Sequence, residues 1–470
     1  MFKQLKLVII STYLLCLPLL AQATLVQAKL FDLRLVPHHD DAAYWAMPQG
    51  SKPRETLISD TAQTKHYEKF KTNFFAPWSA DIVQNQIAKE SYPKVLASIV
   101  RAYRNEIDNA DNKPIIQTNF RPFDHAWLDK IVSNADYPQF DKLQYEPNNR
   151  AIVTHNTFVR VFPTHDTYYR AYHSGRINPF DRLQMSVAWA GTPVYILGKT
   201  RDGAWYYIYT QSYSGWAQAK DIAYVDDDFI AAWQNEDTQL YGLLKNNVSL
   251  LQANNQRFIT QAGIGAIFPG KEIDGKIYLD VPNADKCRQA NIVQAVLPES
   301  ETPLAMAMPI PATRENFAAV IQDMVSRPYA WGGGCYFSDC SLELKNIYTP
   351  FGIWLARHSK TQTEGVRREK LDDMNNLKQR LDYLREHGKP FMTLVYIGGH
   401  IMLYVGEDEH NSPVLYQNMW QKHGNGRNYE QYIVGQSIFM PAEVKRSGTF
   451  SMLDPEITRY YWLAHLDEPS

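Results

Sequence analysis

Between residues 153 and 225 the chain is cut into short β-rich runs by turn residues, and this texture constrains the fold more than any other feature. Phe158-Val159-Arg160-Val161-Phe162 ends at Pro163, and Pro193-Val194-Tyr195-Ile196-Leu197 ends at Gly198. Asp202-Gly203 is a hairpin signal leading into Trp205-Tyr206-Tyr207-Ile208-Tyr209. Tyr213-Ser214-Gly215-Trp216-Ala217 and Ile222-Ala223-Tyr224-Val225 follow. Short β-branched and aromatic runs at this spacing predict a small antiparallel barrel. A weaker set, Val248-Ser249-Leu250-Leu251, Gly263-Ile264-Gly265-Ala266-Ile267-Phe268 and Lys276-Ile277-Tyr278-Leu279, is a candidate second copy.

Around this centre the chain has room for further units, since 470 residues correspond to about three domains. Upstream, residues 88–104 carry apolar side chains at helical spacing, and Phe75-Ala76-Pro77-Trp78 reads as a loop or wrapping segment. The stretch from Pro298 to Pro311 reads as a linker, beyond which helix and strand signals alternate to the end. Lys plus Arg is 48 against 50 Asp plus Glu, so no basic excess exists to hold nucleic acid.

Lys3 and Lys6 precede an apolar run over residues 7–20, and Ala21-Gln22-Ala23 follows. This is the layout of a cleaved signal peptide, cut after Ala23 or after Ala28. No later stretch is apolar over about 18 residues, so no membrane span is expected in the exported chain. The expected location is periplasmic or secreted. Removal of the leader takes Cys16 and leaves Cys287, Cys335 and Cys340, an odd count that implies a free thiol in an oxidising compartment. Cys335 either pairs with Cys287 or stays reduced.

The chemistry concentrates after Arg327. Gly332-Gly333-Gly334 opens a loop that ends at Ser338 or Asp339, both good helix caps, and a helix is predicted from there to about Tyr348. Cys340 then sits in the first turn, where free N–H groups and the helix dipole lower a thiol's pKa and can hold an oxyanion. A buried structural cysteine is the bland alternative. A thiolate needs a base. His400 opens a predicted strand directly after Gly398-Gly399, and alternation puts His400, Met402 and Tyr404 on one face. Val414-Leu415-Tyr416-Gln417-Asn418 is the expected neighbour, from which either Gln417 or Asn418 faces the imidazole and orients it.

Tyr329-Ala330-Trp331-Gly332-Gly333, Asp339-Cys340-Ser341, Phe351-Gly352-Ile353 with Leu355-Ala356-Arg357, and Gly399-His400-Ile401-Met402-Leu403-Tyr404-Val405-Gly406 together resemble the NlpC-type cell-wall cysteine peptidases. The resemblance implies an α+β protein with a papain-like catalytic domain at residues 301–470. Ahead of it come a helical stabilising segment at 24–150 and two SH3-like barrels at 151–235 and 236–300, after a leader at 1–23. It implies Cys340 as nucleophile, His400 as base, Gln417 as the third residue (Asn418 if the alignment shifts by one) and Tyr329 at the oxyanion site. Such peptidases cleave murein stem peptides between D-glutamate, through its γ-carboxyl, and the diamino acid. They read a free N-terminal L-alanine amine with the matches to Asp339 and Ser341 beside Arg357, under a tyrosine that here matches Tyr213. The acid that often follows the arginine is replaced by His358. No cofactor or metal ion is expected. A degenerate core that only binds wall fragments, or a transferase using the same thioester, are the competing readings.

Overall fold

The computed structural model describes residues 29–48, 50–109, 115–170, 180–235, 238–423, 431–444, 450–454 and 461–469. The leader, with Cys16 and both cleavage positions, lies outside the described residues. Helix and strand are mixed, and the strands gather mainly into three seven-stranded sheets.

The first sheet runs in the order Ile222–Tyr224, Arg150–Val153, Pro193–Lys199, Trp205–Tyr209, Ser214–Gln218, Thr157–Arg160 and Gln184–Ala188. Its neighbours are antiparallel. Gly203, at φ +69°, turns the chain between two of them, as the Asp-Gly signal predicts. The second sheet is built from residues 239 to 307, and Ala305–Ala307 pairs with Gln239–Leu243. Part of the stretch read as a linker is therefore an edge strand, because a long-range partner supplies hydrogen bonds that its prolines conceal in the sequence.

In the third sheet the order is Lys29–Leu30, Gln431–Pro441, Pro413–His423, His400–Glu407, Thr393–Ile397, Tyr461–Pro469 and Val366–Lys370. The helix Cys340–Tyr348 lies against its central strands, and Ile347, Tyr348, Ile401, Leu403 and Tyr416 share one core. Lys29–Leu30 joins this sheet in parallel, and the helix Ala42–Ala46 packs on Arg314–Gln322. Residues near the start of the described chain thus complete the C-terminal unit.

The rest of the N-terminal segment wraps the sheets. Two helices, Ala80–Lys89 and Tyr92–Asp108, occupy the region where one was predicted. Glu90 and Ser91 break the run, and Pro93 sits in the first turn of the second helix, where its missing N–H costs nothing. Ala76–Trp78 is a buried turn, and Trp78 donates its indole N–H to Ala151 O at 2.8 Å. Tyr92, Leu96 and Phe140 pack on Tyr207 and Trp216 of the first sheet. Phe70, on the helix Asp60–Phe75, enters the core of the second sheet and meets Trp354 edge-on at 5.7 Å. Among the described residues no helix is long and apolar enough to cross a membrane.

Because Phe70 is fully buried where three units meet, Phe70→Ala should cost about 3–5 kcal/mol of stability. Urea unfolding followed by tryptophan fluorescence measures this, and a loss below about 1 kcal/mol would show that the junction is not held there.

Candidate active site

The loop ahead of Cys340 depends on its glycines. Gly332 and Gly333 have φ of +62° and +80°. A Cβ on Gly332 would lie 2.5 Å from Gln184 O, and one on Gly333 2.6 Å from a Val187 methyl. Both contacts belong to the first-sheet strand Gln184–Ala188, so these positions need glycine for conformation and for space. Gln184 fastens the approach by donating Nε2–H to Gly332 O at 2.9 Å.

Asp339 caps the helix as expected, accepting from the Leu342 N–H at 3.0 Å. It is also held by Arg357, through Nη2 to Oδ2 at 2.6 Å and Nη1 to Oδ1 at 3.1 Å. The Gly332 N–H and the Ser341 hydroxyl donate to the same carboxylate at 3.0 and 3.2 Å. Burial would raise the Asp339 pKa, but the Arg357 charge and these donors hold it below the ordinary carboxylate range. Arg357 reaches on to Ser341 Oγ at 2.8 Å, Ser186 Oγ at 2.8 Å and Met185 O at 3.1 Å. One guanidinium therefore joins the cap, Ser341 and the first sheet.

Cys340 and His400 line one groove of about 680 Å³, together with Tyr329, Asp339, Ser341 and Arg357. Its other wall includes Phe180, Gln184 and Met185 from the first-sheet region. His400 pairs its Nε2 with Gln417 Oε1 at 2.8 Å. Strand alternation separates the two amides left open by the sequence. Gln417 turns to His400, whereas Asn418 donates to Ser338 O at 2.9 Å and to Glu343 at 3.3 Å.

Cys340 departs from the expected lowered pKa. Burial pushes the thiol up to about 12, and the neighbouring Asp339 charge adds to this. The Ile401 and Ser341 N–H groups and Arg357 pull the other way and lose. Burial is the main cause of the reversal, and the carboxylate at the helix start adds to it by offsetting the dipole that would stabilise a thiolate. Burial lowers the His400 pKa against the pull of the Gln417 hydrogen bond and the Asp339 charge. Tyr329 is held well above the ordinary phenol range by burial and by the Cys340 and Asp339 charges, and it keeps its O–H.

Tyr213, just ahead of the strand Ser214–Gln218, does not line the groove itself but donates its hydroxyl to Val187 O at 3.0 Å and lies beside Ser186 and the Arg357 charge, at the back of the Asp339–Ser341–Arg357 cluster. Cys287 and Cys335 are exposed and unpaired. Among the described residues no group of three His, Cys, Asp or Glu side chains is placed to hold a metal ion.

Sequence reasoning missed Glu343. It sits on the buried face of the Cys340 helix and is 1% exposed. Its carboxyl accepts from Tyr416 at 2.5 Å, Ser437 at 2.6 Å and Asn418 at 3.3 Å, tying the helix to two strands. Burial raises its pKa against the pull of these donors. A polar residue amid the helix's apolar face was the available signal.

Residues 9–140 match the NLPC_P60 stabilising domain, N-terminal, and residues 168–218, inside the first sheet, match an SH3 domain of the SH3b1 type. Both matches lie upstream of Cys340. The fold is shared with an NlpC/P60 endopeptidase from Photobacterium damselae subsp. piscicida, at TM-score 0.79 and 24% identity over 94% of this chain and 100% of that one. An NlpC/P60 family protein from Bacillus cereus ATCC 10987 aligns at TM-score 0.44 and 14% identity, over 66% of this chain and 98% of that one. No curated protein matches. The two domain matches support an NlpC-type protein with an SH3 domain.

Glu343→Ala would leave the Tyr416 and Ser437 hydroxyls buried without their acceptor, at about 1–3 kcal/mol each. The expected loss of stability is about 3 kcal/mol, with Glu343→Gln milder. Chemical denaturation checks this, and equal effects of the two variants would show that the carboxyl is not the hub.

Proposed function

We propose that the protein is an exported cysteine peptidase that hydrolyses peptidoglycan stem peptides at the γ-D-glutamyl–diamino acid bond. The observation that carries the chemistry is the 2.8 Å Gln417–His400 hydrogen bond in the groove that also holds Cys340 at a helix start. The choice of bond rests on the motif resemblance and on the fold shared with an NlpC/P60 endopeptidase.

In this reading the substrate carbonyl approaches a neutral thiol. His400 Nδ1 takes the proton as Cys340 Sγ attacks the carbonyl carbon. The oxygen gains the negative charge, and the Tyr329 hydroxyl and first-turn N–H groups are the available donors. Collapse breaks the C–N bond, and the imidazolium returns its proton to the leaving amine. Water, deprotonated by the same imidazole, then hydrolyses the thioester and frees Cys340. Gln417 fixes the ring through Nε2 and adds no charge.

Mass analysis of products from L-Ala-γ-D-Glu-meso-diaminopimelate and its N-acetyl form tests the reading. Cleavage should fall at the γ-glutamyl bond, and Cys340→Ser should lose at least about 10³-fold in kcat/KM. Full activity in Cys340→Ser would remove the thiol from the chemistry.

The buried thiol and imidazole also set the pH profile. Since burial lowers the His400 pKa, kcat/KM should rise with pH through a limb below the ordinary histidine value of about 6.5. Because the thiol is pushed up to about 12, no falling limb from its ionisation should appear near pH 9. Gln417→Glu places a carboxylate on Nε2, favours imidazolium and should move the acid limb up by about one pH unit. A wild-type limb at or above pH 7 would contradict the buried neutral base.

A further inference from the structure

Behind the active-site helix lies a second cavity, of about 40 Å³, where all parts of the chain meet. Phe70 and Phe74 reach it from the helix Asp60–Phe75, and Val187 and Ser212 from the first-sheet region. Ile267 comes from the second sheet, and Lys345 from the helix that begins at Cys340. The peptidase chemistry uses none of these side chains.

Lys345 is the unusual member. It is half-buried, and among the described residues its ammonium has no hydrogen bond and no ion pair. It lies over the Trp354 ring at 5.0 Å from the centroid, a contact weaker than a counter-ion in water-poor surroundings. No side chain lining the cavity is Asp or Glu. Burial and the positive charge of Arg357 push the ammonium's pKa down to about 8, and no acid pulls it back. At neutral pH it is still mostly charged. Lysines withdrawn from water are seldom left unpaired, because the desolvated charge is costly.

The same cavity is lined by two further donors without acceptors. Ser212 Oγ is buried and has no hydrogen-bond partner among the described residues. The Asn73 side-chain amide likewise makes no hydrogen bond there. An ammonium, a hydroxyl and an amide together call for an acceptor that carries negative charge. A water molecule would satisfy the hydrogen bonds but not the charge. One water needs about 10–15 Å³, so a cavity of this size admits a monatomic ion and excludes a sugar or a peptide.

We propose that this cavity is a binding site for a small monovalent anion, chloride in most solutions, with Lys345, Ser212 and Asn73 as its donors. The ion supplies the lysine's missing counter-charge and joins the Cys340 helix to the N-terminal segment and the first sheet. A ligand held only by the assembled units stabilises the folded chain by mass action. The site is separate from the groove, and its assignment does not depend on the peptidase reading.

Thermal unfolding of the full chain at pH 7, in sodium chloride and in sodium gluconate at equal ionic strength, tests this. Gluconate screens surface charge as chloride does but is too large for the cavity. Lys345→Met keeps the length and apolar body of the side chain and removes the charge. Comparing the two proteins cancels the general effects of the salts. The chloride-minus-gluconate difference in Tm should be about 1–3 °C larger in wild type than in Lys345→Met, and should saturate with chloride. The same difference in both proteins would overturn the proposal. A crystal soaked in sodium bromide gives a check free of any substitution, with an anomalous peak expected beside Lys345 Nζ. Bromide peaks confined to the surface would overturn the assignment.

Discussion

The buried pair of Asp339 and Arg357 is the interaction on which the groove depends. Taking both charges out of water is costly, and only good geometry with further hydrogen bonds repays it. Here the guanidinium is bidentate to the carboxylate and spends its remaining donors on Ser341, Ser186 and Met185. The carboxylate in turn caps the Cys340 helix and holds the Gly332 amide. Removing either partner strands a buried charge, a loss of about 3–5 kcal/mol in comparable cases. The start of the helix, the glycine loop and the docking of the first sheet are therefore one electrostatic unit.

That unit explains why the first sheet is a wall of the site and not an appendage. Gly332 and Gly333 let the strand Gln184–Ala188 approach to backbone contact, and Arg357 crosses the same boundary to Ser186 and Met185. On the far side the wrapping helices bury Phe70 and Trp78 between units, which limits relative movement. Where the two units meet, Cys340 is buried and His400 partly buried. That burial raises the thiol and lowers the imidazole.

Local signals in the sequence made much of this legible. The short strands, the Asp-Gly hairpin, the cap at Asp339 and the strands opening at His400 and carrying Gln417 were readable because propensity, turn chemistry and periodicity agree there. Pairings distant in sequence were not. Ala305–Ala307 looked like linker and Lys29–Leu30 carried no strand pattern, because a two- or three-residue strand takes its stability from the partner. Glu343 was passed over because its three partners come from strands more than 70 residues away.

The direction of the thiol's shift shows how two sequence rules can conflict. A helix start favours a thiolate, and aspartate is a favoured cap; each rule is sound alone. Placed side by side, the cap's charge opposes the dipole's benefit, and burial decides the outcome. Arg357 softens the conflict but does not reverse it, because its charge is already shared with Asp339. The groove thus favours the protonated form of the Cys340 thiol.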